Sequence, residues 1–156
     1  MSNWFSWIIP NRLAVGALPQ SDHQIAYLSR IGITSVLSLT TPKEVKISQA
    51  VPNRFVWKNV SIPDGAKGGI PEVKHFQEAC AIILRWQQRN HVTYVHCLAG
   101  IGRAPSVCAA YLATVKGISI LDAIAYVQDR HRNAHPDPAQ ISVMHQFLAL
   151  SLSEKT

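Results

Sequence analysis

One stretch of this chain limits the fold more than any other. Val92–Val95 (VTYV) is a compact run of β-forming side chains, followed at once by HCLAGIGR and then by a helical pattern from about Ala104 to Lys116, closed by Gly117. Such a compact strand feeding directly into a helix reads as a buried strand of an α/β domain with parallel pairing. Elsewhere Arg12–Ala17, Ile33–Leu39 and Phe55–Ile62 read as strands, and Ser21–Arg30 reads as a helix closed by Gly32. Pro42–Ala50 holds a short helix or a loop. Pro71 fits an early position of a long helix to about Arg89, whose buried stripe is Val73, Phe76, Ala79 or Cys80, Ile83 and Trp86. Ser119 with Asp122 marks the start of a helix to about Arg130, and a last helix spans about Asp137–Leu150, with Asp137 as its N-cap. The expected fold class is α/β: a single domain over residues 1–156, with a small central, mostly parallel sheet flanked by helices.

The 156 residues are 47% hydrophobic and 15% charged, against about 25% charged in typical soluble domains, which excludes a disordered polyelectrolyte. A net charge of +6 fits an anionic ligand, yet no recognition motif or aromatic-basic platform points to nucleic acid. Three cysteines, Cys80, Cys97 and Cys108, make no disulfide framework, and a reducing cytoplasm is the expected location. The apolar start, Met1–Pro10, is too short to span a membrane and reads as a segment packed onto the domain. The seven histidines show no metal spacing, so neither metal nor other cofactor is expected.

In His96-Cys97-Leu98-Ala99-Gly100-Ile101-Gly102-Arg103, the strand delivers Cys97 to a tight turn. Gly100 and Gly102 allow backbone conformations that a Cβ would forbid. The N–H groups of Leu98 to Gly102 can then point inward as an anion-binding nest, with the positive end of the following helix behind them. Arg103 can fold back and grip two oxygens of an oxyanion, and the same field favours thiolate over thiol at Cys97. A nucleophile and a phosphate cradle thus share one loop. His96 reads as a residue that orients the loop rather than a catalytic base. Cys80 and Cys108 read as core cysteines on helix faces.

HCLAGIGRA resembles the His-Cys-x5-Arg signature of cysteine-based phosphatases, specifically the small atypical dual-specificity group of the protein tyrosine phosphatase superfamily. FSWIIPNRLAVGALP, ITSVLSLT, SIPDG, GISILDAI and AQISVMHQF extend the resemblance along nearly the whole chain. It implies attack of Cys97 on phosphorus, a phosphocysteine intermediate and its hydrolysis by water. Asp64, after a strand in the Gly-rich Pro63–Gly69 loop, falls where the family carries its general acid. Asp137 is the rival: low-molecular-weight tyrosine phosphatases take their acid from a late Asp-Pro, but their cysteine loop lies near the N-terminus. Gln140 resembles the glutamine that positions the hydrolytic water.

Many family members follow the arginine with Ser or Thr, which stabilises the departing thiolate. Here Ala104-Pro105 stands instead, as in the phosphatases of regenerating liver, so the second step is expected to be slow. Leu98 and Ile101 occupy positions that carry lysines in phosphatases of polyanionic inositol lipids, which favours a phosphorylated protein, with phosphotyrosine foremost and phosphoserine or phosphothreonine next. Lys67, His131, Arg132 and His135 offer positive charge near the mouth, or a solvated basic surface. Three outputs stay open: an active protein phosphatase acting as a monomer without membrane insertion, a slow-turnover phosphate-trapping module, and a phosphatase of inositol phosphates.

Overall fold

The computed structural model describes residues 4–65 and 69–154. The elements run β1 (Phe5–Ile9), β2 (Leu13–Gly16), α1 (Asp22–Arg30), β3 (Ser35–Ser38), α2 (Ala50–Arg54), β4 (Val56–Asn59), α3 (Val73–Gln88), β5 (Thr93–His96), α4 (Arg103–Lys116), α5 (Ile120–Arg130) and α6 (Pro138–Glu154). They form a single α/β domain around a five-stranded sheet of order β1-β2-β5-β3-β4. Strands β2, β5, β3 and β4 pair in parallel, and only β1 is antiparallel, against β2. Every residue of β2, β3 and β5 is buried, the mark of parallel strands covered on both faces.

Alternation along each strand divides the core in two. Leu13, Val15, Leu37 and Val95 face α3 to α6, whereas Ala14, Val36 and Tyr94 face Ile25 and Leu28 of α1 and Val51 of α2. Helix α3 buries Phe76, Ala79, Cys80, Ile83 and Trp86, the expected stripe, and each large apolar side chain so buried contributes about 1.5–3 kcal/mol. Helix α4 lies inside the helical layer, buried from Arg103 through Ala113. Its small residues Ala109, Ala110 and Ala113 let α3, α5 and α6 pack close on all sides.

Four readings change. Pro71 lies outside α3: Glu72 is the N-cap, and its N–H donates to His75 Nδ1, so the helix starts two residues later than the proline. The Pro42–Ala50 segment is a loop, and the short helix begins at its end, with Pro52 tolerated in the first turn of α2. Gly32 sits one position past the Ile31 C-cap of α1. The apolar N-terminal segment is packed onto the domain as expected, but it does so as the edge strand β1. Trp4, Phe5 and Trp7 pack with Tyr27 and Tyr94 in an aromatic cluster, which gives those large rings a place against the sheet. Among the described residues no helix is long and apolar enough to cross a membrane.

Candidate active site

The loops that follow β3, β4 and β5 meet at the C-terminal ends of the parallel strands, the edge where open α/β sheets collect their ligands. They deliver Glu44, Asp64 and Cys97 respectively. A hollow of about 370 Å³ is lined by Asp64, Cys97 to Ala99, Ile101 to Arg103, His135, Asp137 and Gln140. A larger groove of about 580 Å³ runs past Cys80, Leu84, Tyr111 and Phe147, between α3, α4 and α6 and apart from the Cys97 loop.

The backbone after Cys97 is held from outside the hollow. The carbonyl of Cys97 accepts from His96 Nδ1 (2.9 Å), that of Leu98 from Leu18 N–H (3.0 Å), that of Gly100 from His131 Nε2 (2.9 Å), and that of Ile101 from His135 N–H (2.7 Å). A trans peptide points its N–H opposite to its C=O, so the N–H groups of Leu98, Ala99, Ile101 and Gly102 face inward. The nest expected from glycine spacing is therefore built by four external donors. Gly102 supplies no side-chain cap to α4, which leaves the helix's first N–H groups open to an anion.

The two glycines serve different purposes, which corrects the shared role assigned to them above. Gly100 has φ +75°, and a Cβ there would lie 2.7 Å from the Gly16 carbonyl carbon. Gly102 has an ordinary φ of −112°, and its lack of a Cβ instead makes room for the Gln140 amide, 2.9 Å from where that atom would sit.

Cys97 is 3% exposed at the floor of the hollow. His96 is fully buried, with hydrogen bonds at both ring nitrogens. Trp57 Nε1–H donates to Ser38 Oγ (2.9 Å), the Ser38 hydroxyl donates to His96 Nε2 (2.6 Å), and His96 Nδ1–H donates to the Cys97 carbonyl. This relay requires a neutral ring in one tautomer, and burial agrees by pushing the His96 pKa down to about 4. Burial pushes the Cys80 and Cys108 thiols far up, as suits core cysteines.

Arg103 brings in a residue that the sequence reading missed. Its Nη1 and Nη2 donate to Glu44 Oε2 (2.8 Å) and Oε1 (2.7 Å), a bidentate pair, and Nη1 also donates to the Ile62 carbonyl (2.9 Å). The Arg103 hydrogen bonds hold the Glu44 carboxyl down at about 2 against the opposing pull of burial. Among the described residues the buried Arg103 Nε has no hydrogen-bond partner; Asp64 Oδ1 lies 3.5 Å away, an ion-pair distance. Glu44 was traceable in principle, because loops after parallel strands converge, but no local pattern around it names its partner.

Asp64 stands at the rim, its side chain 41% exposed. Asp137 also lines the hollow, but its Oδ1 accepts the Gln140 N–H (2.7 Å) as the N-cap of α6. Gln140, 3% exposed, returns its Oε1 to the Asp137 N–H (2.8 Å), so its amide is fixed beside Gly102. Of His131, Arg132 and His135, the described residues considered for the mouth, only His135 lines the hollow. Arg132 borders a separate shallow depression on α5. His131 is 1% exposed beneath the loop, and Lys67 lies outside the described residues.

The sequence matches the family model described as the phosphatase domain of the dual-specificity and protein tyrosine phosphatase type, "Swiss Army Knife protein", over residues 2–153. The chain belongs to this family. It is a cysteine-based phosphatase of the dual-specificity group, similar to dual specificity protein phosphatase 1B of Arabidopsis thaliana, with 27% identity over 139 residues covering 89% of this chain and 79% of that protein. It is also 26% identical to the phosphatidylglycerophosphate phosphatase PTPMT2 of the same organism, across the whole chain and 70% of that protein. The chain spans between 12% and 79% of the length of the curated relatives it matches. In fold it is similar to the crystal structure of PTPMT1 in complex with PI(5)P, with a TM-score of 0.86 at 21% identity, covering 98% of this chain and 99% of that one.

Proposed function

We propose that the phosphatase hydrolyses phosphomonoesters on proteins, phosphotyrosine foremost and phosphoserine or phosphothreonine next, through a phosphocysteine on Cys97. The observation that carries this reading is the convergence on the hollow above Cys97 of four inward N–H groups and the Arg103 Nε–H, which has no hydrogen-bond acceptor among the described residues. Phosphate oxygens satisfy those donors, and the sulfur attacks phosphorus from below. As the S–P bond forms and the P–O bond breaks, Asp64 passes its proton to the leaving oxygen. Water beside the Gln140 amide then attacks phosphorus, returns a proton to Asp64, and displaces the Cys97 sulfur. Ala104 offers no hydroxyl to that departing sulfur, and the Ser106 hydroxyl is committed to the Gly102 carbonyl (2.7 Å), which supports a slow second step. Catalysis at Cys97 needs a reduced sulfur, which supports a cytoplasmic setting.

The rim favours a substrate with one phosphate on an apolar carrier. Leu98 and Ile101 are 41% and 43% exposed there, and the Asp137 carboxylate in the same lining disfavours additional anionic groups. The same apolar rim, with the likeness to PTPMT2, supports a second reading, a phospholipid monoester. Rapid-quench turnover of a phosphotyrosyl peptide and of phosphatidylglycerophosphate in mixed micelles separates the two by kcat/KM. A burst followed by measurable turnover on the peptide is expected. A burst without turnover makes the chain a phosphate trap, and a preference for the lipid overturns the protein-substrate reading.

A further inference from the structure

The phosphate loop is tied to a part of the fold distant in sequence. His131, at the C-terminal end of α5, lies 1% exposed under the loop with both ring nitrogens engaged. Nε2 is 2.9 Å from the Gly100 carbonyl oxygen, and Nδ1 is 2.6 Å from Ser6 Oγ on the edge strand β1. A carbonyl only accepts, so Nε2 carries the proton. Nδ1 is then the acceptor, and the Ser6 hydroxyl donates to it. Burial, which lowers the ring's pKa, agrees with a neutral imidazole. The Gly100 carbonyl therefore fixes the tautomer, and Ser6 anchors the other ring nitrogen and so holds the ring in the orientation that reaches Gly100.

Gly100 is where such a hold matters most. Its φ of +75° lies in the left-handed region, and glycine crosses between backbone regions more freely than any other residue. Rotation of the Gly100–Ile101 peptide would turn its carbonyl into the hollow and its N–H out, replacing a donor to phosphate with a repelling oxygen. Backbone groups alone hold the neighbouring Leu98 and Ile101 carbonyls, so His131 is the side chain that fixes this peptide. The β1 strand has the same logic: it carries Ser6, and the Trp4 carbonyl accepts the Ala17 N–H one residue before Leu18, which holds Leu98.

We propose that His131, oriented by Ser6, is a positioning residue for oxyanion binding, acting through the Gly100–Ile101 peptide rather than by touching substrate. The proposal rests on the phosphate-binding reading of the Cys97 loop. Its test is the inhibition constant of inorganic phosphate and of orthovanadate, with the burst amplitude counting active molecules. His131→Ala is expected to weaken both inhibitors about tenfold per active molecule, the scale of one hydrogen bond to the ligand. His131→Gln, which keeps an N–H donor, is expected to recover most of that loss, and Ser6→Ala to weaken binding by a smaller factor of about two to three. A purely structural role lowers the burst amplitude and leaves the inhibition constants of the remaining active molecules unchanged. That result overturns the proposal, as does His131→Gln performing no better than His131→Ala. Failure of the wild-type protein itself to bind either anion would instead overturn the phosphate-binding reading.

Discussion

The phosphate loop and the Asp64 loop both follow parallel strands and both depend on glycine, yet they are held in opposite ways. Around Cys97, four carbonyls are tied from outside and Arg103 is clamped by Glu44 and the Ile62 carbonyl. Asp64 has its carboxylate 3.5 Å from Arg103 Nε and is 41% exposed, and the Gly65 carbonyl beside it accepts the Gly69 N–H at 3.1 Å. The difference fits the chemistry proposed for each loop. Donors that stabilise developing charge work only if they are already in place, because reorganisation in the transition state would consume the gain. A general acid must give a proton to one oxygen and then accept one from another at a different position, so a side chain with few ties suits it.

The largest test of this contrast is Asp64→Asn. It should lower kcat on a phosphotyrosyl peptide by about 10²–10⁴, with a far smaller loss on an aryl phosphate whose leaving group departs unprotonated. Equal losses on both substrates would break the contrast by making Asp64 a binding group. Thermal stability should change little, within about 0.5 kcal/mol, as for other exposed sites.

Next in size is Glu44→Gln, which removes the charge facing a buried guanidinium. Loss of a charged hydrogen-bonded pair of about 1.5–3 kcal/mol corresponds to about ten- to a hundredfold weaker vanadate inhibition, if the clamp preorganises Arg103. An unchanged inhibition constant would show that the Ile62 carbonyl holds the arginine alone. Ala104→Ser adds the hydroxyl that the departing sulfur lacks, and should raise steady-state turnover about tenfold while sparing the burst rate. Identical steady-state rates in the two proteins, measured by stopped flow, would place the slow step elsewhere.

The smallest effect on activity is one of stability with pH. His96 has its folded pKa lowered from 6.5 to about 4, so below pH 6.5 the unfolded chain takes up a proton that the folded ring refuses. Its contribution is complete above pH 6.5 and declines by up to about 3 kcal/mol as pH falls toward 4. Glu44, lowered to about 2, is ionised throughout that window, and the stability it adds is lost only as pH falls from 4.5 through 2. The urea midpoint should therefore fall from pH 7 to 4.5 in the wild type and fall less in His96→Asn. Parallel slopes in the two proteins would remove His96 from the account.

Much of this was legible before any coordinates. The 3.6-residue stripe of α3 reports burial directly, since periodicity is set by backbone geometry within a few residues, and β5 is marked by its β-forming Thr93, Tyr94 and Val95. Cys97 and Arg103 were visible together because one turn joins them, and Asp64 because a strand and a glycine loop announce it. Strand β1 was harder: FSWII has the composition of a strand, but only pairing with β2 makes it one.

The chain alone determined the α/β class and placed Cys97, Arg103 and Asp64, the residues proposed as nucleophile, phosphate grip and acid, because each is marked by neighbours within a turn or a strand. Tertiary structure decided what sequence separation hides: that Glu44, 59 residues away, clamps Arg103, and that His131 and Ser6, 125 residues apart, meet under Gly100. It also decided that Gly102 is needed for Gln140 rather than for its backbone angle. A hydrogen-bond donor carries no local mark of its acceptor, so such pairings exist only once the sheet has brought their loops together.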